Sequence, residues 1–161
     1  MEISHQISGE RELEDSILDL SNSFPFGDIQ VDDHMRDELY GYLPQDESEA
    51  VIMIDKFFTK VGWLYNFVPK RALLEMVHTV YDPSVPTLHP HRLAIVYGVF
   101  ALNVLVDQFP RPSWRKSNTY RQLACAALAA ETVFGVNATL ATVQALCLLS
   151  LWYQLASESG K

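Results

Sequence analysis

Apolar residues recur along this chain at the three- and four-residue steps of helices, and the two-residue alternation of half-buried strands is nowhere sustained. Proline, glycine and polar clusters separate the periodic segments and mark the connections between them. The pattern predicts five strong helices and two weaker ones, over residues 46–64, 69–81, 90–107, 119–134 and 139–156, and over 10–20 and 32–43. We therefore expect an all-α array of antiparallel helix pairs with no sheet.

The segment from 88 to 107, "LHPHRLAIVYGVFALNVLVD", predicts the central helix. Pro90 suits a first helical turn, where its missing N–H is not needed. From Leu93 to Val106 the segment is apolar on all sides apart from Gly98 and Asn103. A helix of this kind normally lies inside a core, and the apolar run is too short for a comfortable membrane span.

The last helix, 139–156, carries apolar residues around its whole axis, and Thr139 suits its N-cap. We expect part of this surface to remain uncovered. Large exposed apolar patches usually mark an interface. The prediction is self-association or a protein partner, with Leu149 and Trp152 as candidates for the uncovered face. The apolar positions are Leu140, Val143, Leu146, Cys147, Leu149, Leu151, Trp152 and Leu155.

Charge divides the chain unevenly. The 161 residues carry a formal net charge of -8, and 15 of the 20 acidic residues lie in residues 1–55 with only 2 of the 12 basic ones. We interpret residues 1–41 as an acidic, partly flexible head with weak helices, and residues 42–161 as the helical domain. Residues 1–31 mix acids with Leu, Ile and Phe, a composition shared by transcriptional activation segments and by ordinary flexible termini.

His89 and His91 flank Pro90 and invite a metal or catalytic interpretation. Metal sites normally need three or four ligands, and no partner motif such as H-E-x-x-H accompanies the pair. The alternative, which we favour, is that the pair lies at the first turn of the helix and packs or caps it.

The acidic run at 32–38, "DDHMRDE", suggests a second kind of site. Asp32, Asp33 and Asp37 resemble the D-D-x-x-x-D runs with which all-α prenyl-diphosphate enzymes hold magnesium, and carboxylates are ligands for hard cations. A metal-dependent all-α enzyme is therefore one alternative function. No second metal motif is apparent, and a solvated acidic helix start explains the same residues.

Two further groups of residues complete the candidate chemistry. A basic cluster with interleaved aromatics could contact phosphates, although a solvated connection in an acidic protein explains it better; it comprises Arg111, Trp114, Arg115, Lys116, Tyr120 and Arg121. Cys125 and Cys147 lie in apolar helical patterns and predict buried free thiols. We expect no catalytic residue, bound cofactor or metal in this chain.

Taken together, the helical segments resemble the fungal-specific transcription factor domain, the middle homology region of binuclear zinc-cluster regulators. The similarity covers about residues 42–156. It is most specific in "TLATVQALCLLSLWYQ", Thr139 to Gln154. The supporting segments are a Leu-Pro entry at Leu43 and Pro44, an aromatic-rich helix end at Phe57, Phe58, Trp63, Leu64 and Tyr65, a His-Pro-x-Arg-Leu helix at His89, Pro90, Arg92 and Leu93, and a Tyr-x-x-Ala-x-x-Ala-Leu-like helix at Tyr120, Ala124, Ala127 and Leu128.

The resemblance implies a non-enzymatic regulatory region of a nuclear transcription factor, which controls transcription through protein contacts; a small effector between helices is compatible with it. The family's DNA-binding module holds two zinc ions with six cysteines, whereas this chain has two cysteines in all. Zinc and direct DNA contact are thus expected only in a separate module. The family domain is longer, so the chain resembles its N-terminal portion. A plain helical interaction adaptor is the remaining alternative.

Overall fold

The structure, a computed structural model, describes residues 11–26, 29–62, 65–107, 114–131 and 138–159. Within these ranges 74% of the residues are helical and none lies in a strand, which confirms the all-helical prediction. The seven helices are α1 (Asp15–Ser23), α2 (Asp33–Tyr40), α3 (Glu47–Phe57), α4 (Lys70–Tyr81), α5 (Pro90–Asp107), α6 (Trp114–Ala129) and α7 (Leu140–Ser159).

Helix α5 is the centre of the molecule, as its sequence predicts. Every residue from Pro90 to Leu105 is buried except Arg92. Helices α3, α4, α6 and α7 all pack against α5. Gly98 allows α7 to come close, since a Cβ atom there would meet the Cβ of Leu148 at 3.3 Å. Because α5 is apolar on all sides, neighbouring helices pack against it on several sides.

Helix α6 lines α5 with small residues. Alanines 124, 126, 127, 129 and 130 are all buried, and their short side chains permit close helix packing. The predicted start of this helix, Thr119, is wrong, because α6 begins at Trp114. The hydroxyl of Ser117 explains the earlier start: it is buried and donates to the carbonyl of Ala101 on α5 at 2.7 Å. Residues 132–134 of the predicted helix lie outside the described ranges.

Helices α1 and α2 pack onto this body. Ile17 and Leu20 of α1 and Leu39 of α2 are fully buried, and α1 packs on α6. The hydroxyl of Tyr97 on α5 donates to the carbonyl of Leu39 at 2.5 Å. The described part of the acidic head therefore shares the core of residues 42–161, because most of its apolar residues pack into that core, although Phe26 is exposed. Residues 1–10 lie outside the described ranges.

The segment predicted as one helix over 46–64 changes geometry midway. Helix α3 ends at Phe57, and a single wider π-helical turn, Phe58–Gly62, follows it. The ring of Phe58 lies against Gly62, where an added Cβ would come within 2.5 Å of it. Leu64 lies outside the described ranges. Helix α4 follows Pro69 as predicted and buries Leu73 and Val77.

Candidate functional site

His89 caps α5. Its Nδ1 accepts the backbone N–H of His91 at 3.1 Å, and its carbonyl accepts the N–H groups of Arg92 and Leu93. The first turn of a helix has N–H groups without helical partners, and this imidazole satisfies one of them. Burial, and then the neighbouring His91, lowers the pKa of His89 below its ordinary value. The neutral ring, with its Nδ1 lone pair directed at the backbone, is the form that this geometry uses.

His91 is a core residue. Its side chain is fully buried, and its Nε2 lies 3.2 Å from the carbonyl oxygens of Leu128 and Glu131. Its Nδ1 lies 2.7 Å from Oγ1 of Thr142. Two carbonyls at Nε2 require that nitrogen to carry the hydrogen, so in the neutral ring Nδ1 accepts from the threonine hydroxyl. Both ring nitrogens are occupied, which leaves neither for a metal.

Thr142 completes a structure that we term the polar junction: His91, Thr139 and Thr142 with the carbonyls of Leu128 and Glu131. Oγ1 of Thr142 also accepts the backbone N–H of Thr139 at 2.9 Å. The junction joins the first turns of α5 and α7 to the end of α6. Buried polar groups are stable when every donor has an acceptor, and the Thr142 hydroxyl both donates and accepts here.

The acidic run does not converge on a shared point. Asp32 is the N-cap of α2, and its Oδ1 accepts the N–H of Met35 at 2.8 Å. Asp33 and Asp37 are exposed on that helix. Among the described residues, the group of three potential ligands with mutually close atoms is instead Glu14, His34 and Glu38, within 4.8 Å of one another.

In that group, the carboxylate of Glu38 already pairs with the guanidinium of Arg11 in the same chain. Arg11 contacts Oε2 of Glu38 at 3.0 Å and places its guanidinium 4.5 Å from the ring centre of Tyr42. The hydroxyl of Tyr42 accepts the backbone N–H of Glu14 at 2.9 Å. The arginine supplies the positive charge that these carboxylates attract, and it ties the residues before α1 to the end of α2.

Two of the basic residues on α6, Arg115 and Arg121, contact groups of the chain itself. Arg115 pairs with Glu12 at 2.8 Å. The guanidinium of Arg121 donates to the hydroxyl of Tyr153 at 2.9 Å and lies over the ring of Trp152, 5.4 Å from its centre. Arg111 lies outside the described ranges. The aromatic and basic residues at Trp152, Tyr153 and Arg121 thus form a contact between α6 and α7.

The two cysteines differ. Both are free, and Cys125 is buried, which raises the pKa of its thiol. Cys147 is only partly buried on α7. The prediction of two buried thiols is thus correct for Cys125 and wrong for Cys147, because α6 is covered on both sides and α7 is not.

The uncovered face of α7 is not the one predicted from the sequence. Leu149 and Trp152 are buried at 4% and 6% exposure, and the indole N–H of Trp152 donates to Ser117 at 2.8 Å. The exposed apolar residues of α7 are Leu140 at 72%, Val143 at 54%, Leu146 at 36% and Tyr153 at 51%. Together with the partly buried Cys147 and the exposed Ser150, they form what we term the outer stripe: Leu140, Val143, Leu146, Cys147, Ser150 and Tyr153.

By length and composition, Leu140–Glu158 meets the criteria for a membrane-spanning helix, with a mean hydropathy of 1.3. Core helices of soluble proteins meet the same criteria, and one side of α7 packs on α5 and α6. The apolar character of α7 therefore has two parts, a packed side and the outer stripe.

One wide depression, of about 830 Å³, lies along α4. Its described lining is Lys70, Arg71, Leu74, Glu75, His78 and Thr79, all from that helix. A site that encloses a small molecule needs walls from more than one side. Within the described residues, this depression supplies a surface rather than an enclosed effector site.

Comparison of the chain with protein-family models, with curated proteins and with solved structures gave no match. The sequence pattern did not indicate Ser117 and Thr142, whose hydroxyls bind buried partners. No local signal marked these two residues, because Ser117 lies in a polar segment and Thr142 lies in a helix whose apolar residues surround its axis.

Proposed function

We propose that the chain is a non-enzymatic regulatory region of a fungal zinc-cluster-type transcription factor, which acts in the nucleus through contacts with other proteins. The proposal rests on the resemblance of its helical segments to that family. The structure contributes one supporting observation, the polar junction.

The polar junction links the segments that carry the resemblance. His91 lies within the His-Pro-x-Arg-Leu segment, and Thr142 lies within the segment from Thr139 to Leu146; the two side chains are 2.7 Å apart. The third segment provides the carbonyl of Leu128, and its residues Tyr120, Ala124 and Ala127 are buried. If members of the family share this packing, the segments that carry the resemblance should pack against one another. In this chain they do.

We also infer that neighbouring helices along the chain form antiparallel pairs. The start of α6 contacts the later part of α5 through Ser117 and Ala101, and the end of α6 contacts the start of α5 through Leu128 and His91. Trp152, late in α7, bonds to Ser117 early in α6. These paired ends support an up-down arrangement of α5, α6 and α7.

The role that we propose for the chain is protein contact and not DNA contact. A net charge of -8 disfavours association with phosphates, and the described basic residues Arg115 and Arg121 are bound to groups of the chain itself. Control of transcription would then require a surface that other proteins recognise, together with a separate DNA-binding module.

A reporter assay tests the proposal. The chain is fused to a DNA-binding domain of unrelated origin and expressed in a fungal host with a reporter gene under that domain's binding site. We expect expression to rise or fall relative to the DNA-binding domain alone. Thr142→Val, which breaks the polar junction and destabilises the chain, should weaken the effect, whereas Thr119→Val should retain it because that hydroxyl bonds only to its own helix.

The proposal fails if a fusion that is folded, nuclear and bound to its site leaves expression at the level of the DNA-binding domain alone. Circular dichroism of the purified fusion and chromatin immunoprecipitation at the reporter establish those three conditions independently of transcription.

A further inference from the structure

A small cleft lies beside α2, between that helix, the end of α4 and the connection from α4 to α5. Its volume is about 270 Å³, and its lining comes from all three segments. It therefore differs from the depression along α4, whose described lining comes from one helix. The lining residues that bear on binding are Asp37 and Tyr40 of α2, Thr79 of α4, and Asp82, Val85 and Thr87 of the connection.

The described lining of this cleft contains two carboxylates and no basic side chain. Asp37 is exposed and has no hydrogen bond or ion pair within the described residues. Oδ1 of Asp82 accepts the hydroxyl and the backbone N–H of Ser84, at 2.6 and 2.9 Å, and these bonds hold the pKa of Asp82 below its ordinary value. The cleft thus holds negative charge that its own described lining does not neutralise.

The basic residues closest in sequence to this lining are engaged with other acids. Arg36 of α2 pairs with Glu131 at 2.7 Å. Nδ1 of His78, which precedes Thr79 on α4, lies 3.0 Å from Oε1 of Glu47. A cation that enters the cleft from outside therefore does not have to displace either of these two side chains.

The uncharged groups of the cleft also suit a cation on an apolar stem. The hydroxyl of Tyr40 donates to the carbonyl of Leu88, and burial raises the pKa of that hydroxyl to about 12. The hydroxyl of Thr79 donates to the carbonyl of Glu75 at 2.9 Å. Both hydroxyl oxygens can still accept hydrogen bonds, and Val85, which is 40% exposed, adds apolar surface.

We propose that this cleft binds an arginine side chain displayed by a partner protein, with Asp37 and Asp82 as the residues that pair with its guanidinium. This inference goes beyond the proposed function and does not depend on it, because it needs only the lining of the cleft. It assigns the kind of partner group that the chain recognises, and it leaves transcription to a separate test.

The size of the cleft favours a single side chain. Pockets for small molecules typically occupy about 300–1,000 Å³, which is more than the volume of this cleft. A guanidinium presents its N–H donors in a planar fork that matches carboxylates, whereas the ammonium of lysine is a compact point charge. The aliphatic stem of an arginine can pack on Val85 while its head remains among polar groups.

The charge of the whole chain acts in the same direction. A net charge of -8 attracts a basic partner, and most of the acidic residues lie in residues 1–55, which include α2. Both carboxylates of the cleft are accessible to solvent, so dissolved salt screens their attraction for a cation. We therefore expect binding that weakens as ionic strength rises.

A titration of the full, ¹⁵N-labelled chain followed by NMR tests the site. The probe is the tripeptide acetyl-glycyl-arginyl-glycinamide, and its control carries citrulline, which has a similar shape without the charge. We expect the arginine peptide to shift the amide signals of Val85 and Thr87 in a saturable manner by about 50 mM. The citrulline peptide should bind at least about fivefold more weakly, and a lysine peptide should fall between the two.

A matched pair of variants tests the carboxylates. Asp37 and Asp33 are both exposed on α2, one turn apart, but only Asp37 belongs to the described lining of the cleft. Asp37→Asn should weaken binding of the arginine peptide about three- to fivefold, whereas Asp33→Asn should change it less than about 1.5-fold. Asp82→Asn retains an acceptor for Ser84 and should weaken binding as Asp37→Asn does. Thermal melts of the three variants establish that each remains folded.

Three outcomes overturn the inference. One is the absence of a saturable shift at Val85 and Thr87 up to about 50 mM arginine peptide. Another is equal binding of the arginine and citrulline peptides. The third is equal weakening by Asp33→Asn and Asp37→Asn, which would indicate general attraction to an acidic surface instead of a site. The reporter assay contains none of these peptides, so the two proposals fail separately.

Discussion

A single hydroxyl group, that of Thr142 on α7, bonds His91 of α5, whose Nε2 contacts the carbonyl of Leu128 on α6. The same hydroxyl oxygen accepts the backbone N–H of Thr139. Replacing Thr142 with valine keeps the shape but leaves a buried imidazole nitrogen and a backbone N–H without their partner. We expect Thr142→Val to lower the free energy of unfolding by about 1–3 kcal/mol. Thr119→Val, whose hydroxyl bonds the carbonyl of Arg115, should change it by less than about 0.5 kcal/mol. Urea denaturation compares the two, and similar losses would contradict the role of the junction.

His89 predicts a dependence of stability on pH. Burial lowers its pKa in the folded chain, so between the folded and the unfolded pKa the unfolded chain binds more protons. Stability therefore falls as pH decreases below the ordinary histidine pKa, and protonation also removes the acceptor that caps α5. His89→Asn keeps an N-cap acceptor without titrating in this range. We expect the parent to lose more stability than His89→Asn between pH 7 and 5 in urea titrations; parallel losses would contradict this.

Single residues also show where the sequence was sufficient and where it was not. The sequence predicted correctly that His89 and His91 lie at the helix start. His89 caps the helix, and His91 packs in the core. Leu149 and Trp152 were chosen wrongly as exposed residues. An all-round apolar helix has no periodicity that identifies its packed side, and the bond from Trp152 to Ser117, 35 positions away, decides it.

At the scale of helices, α2 depends on its N-cap. Asp32 bonds the N–H of Met35, so Asp32→Ala should destabilise the protein by about 1 kcal/mol, whereas Asp32→Asn, which retains an acceptor, should be nearly neutral. Neither change should depend on magnesium if the acidic run holds no cation. Thermal melts with and without magnesium measure this. A magnesium-dependent rise in the parent's melting temperature that is lost in Asp32→Asn would restore the enzyme alternative.

The bounds of a helix were predictable where its apolar run was continuous and both of its ends were marked in the sequence. The bounds of α5 agree with the predicted 90–107, since Pro90 and the end of the apolar run mark both ends. The start of α6 was missed because residues 114–118 are polar and aromatic, and the contact of Ser117 with α5 is tertiary. The wider turn at Phe58–Gly62 was missed for a similar reason, since helical spacing alone does not distinguish it from α-helix.

For the whole molecule, charge gives the clearest prediction. A chain with a net charge of -8 and paired arginines should not bind duplex DNA specifically. Fluorescence anisotropy should show no sequence-specific binding at sub-micromolar concentration, even at low salt. A zinc-cluster DNA-binding module on its own duplex serves as the positive control. Specific binding that weakens with added salt would contradict the proposal that a separate module contacts the DNA.

The packing of α1 and α2 on a body built from distant segments has a consequence for the order of folding. Ser117 and Ala101 are 16 positions apart, whereas Arg115 and Glu12 are 103 apart. Closing the shorter loop costs less entropy, so α5 and α6 should pair in the transition state before α1 docks. Leu102→Ala should then slow refolding, whereas Leu20→Ala, an equally buried leucine of α1, should mainly accelerate unfolding. Stopped-flow chevron plots of the two variants distinguish this order from its reverse.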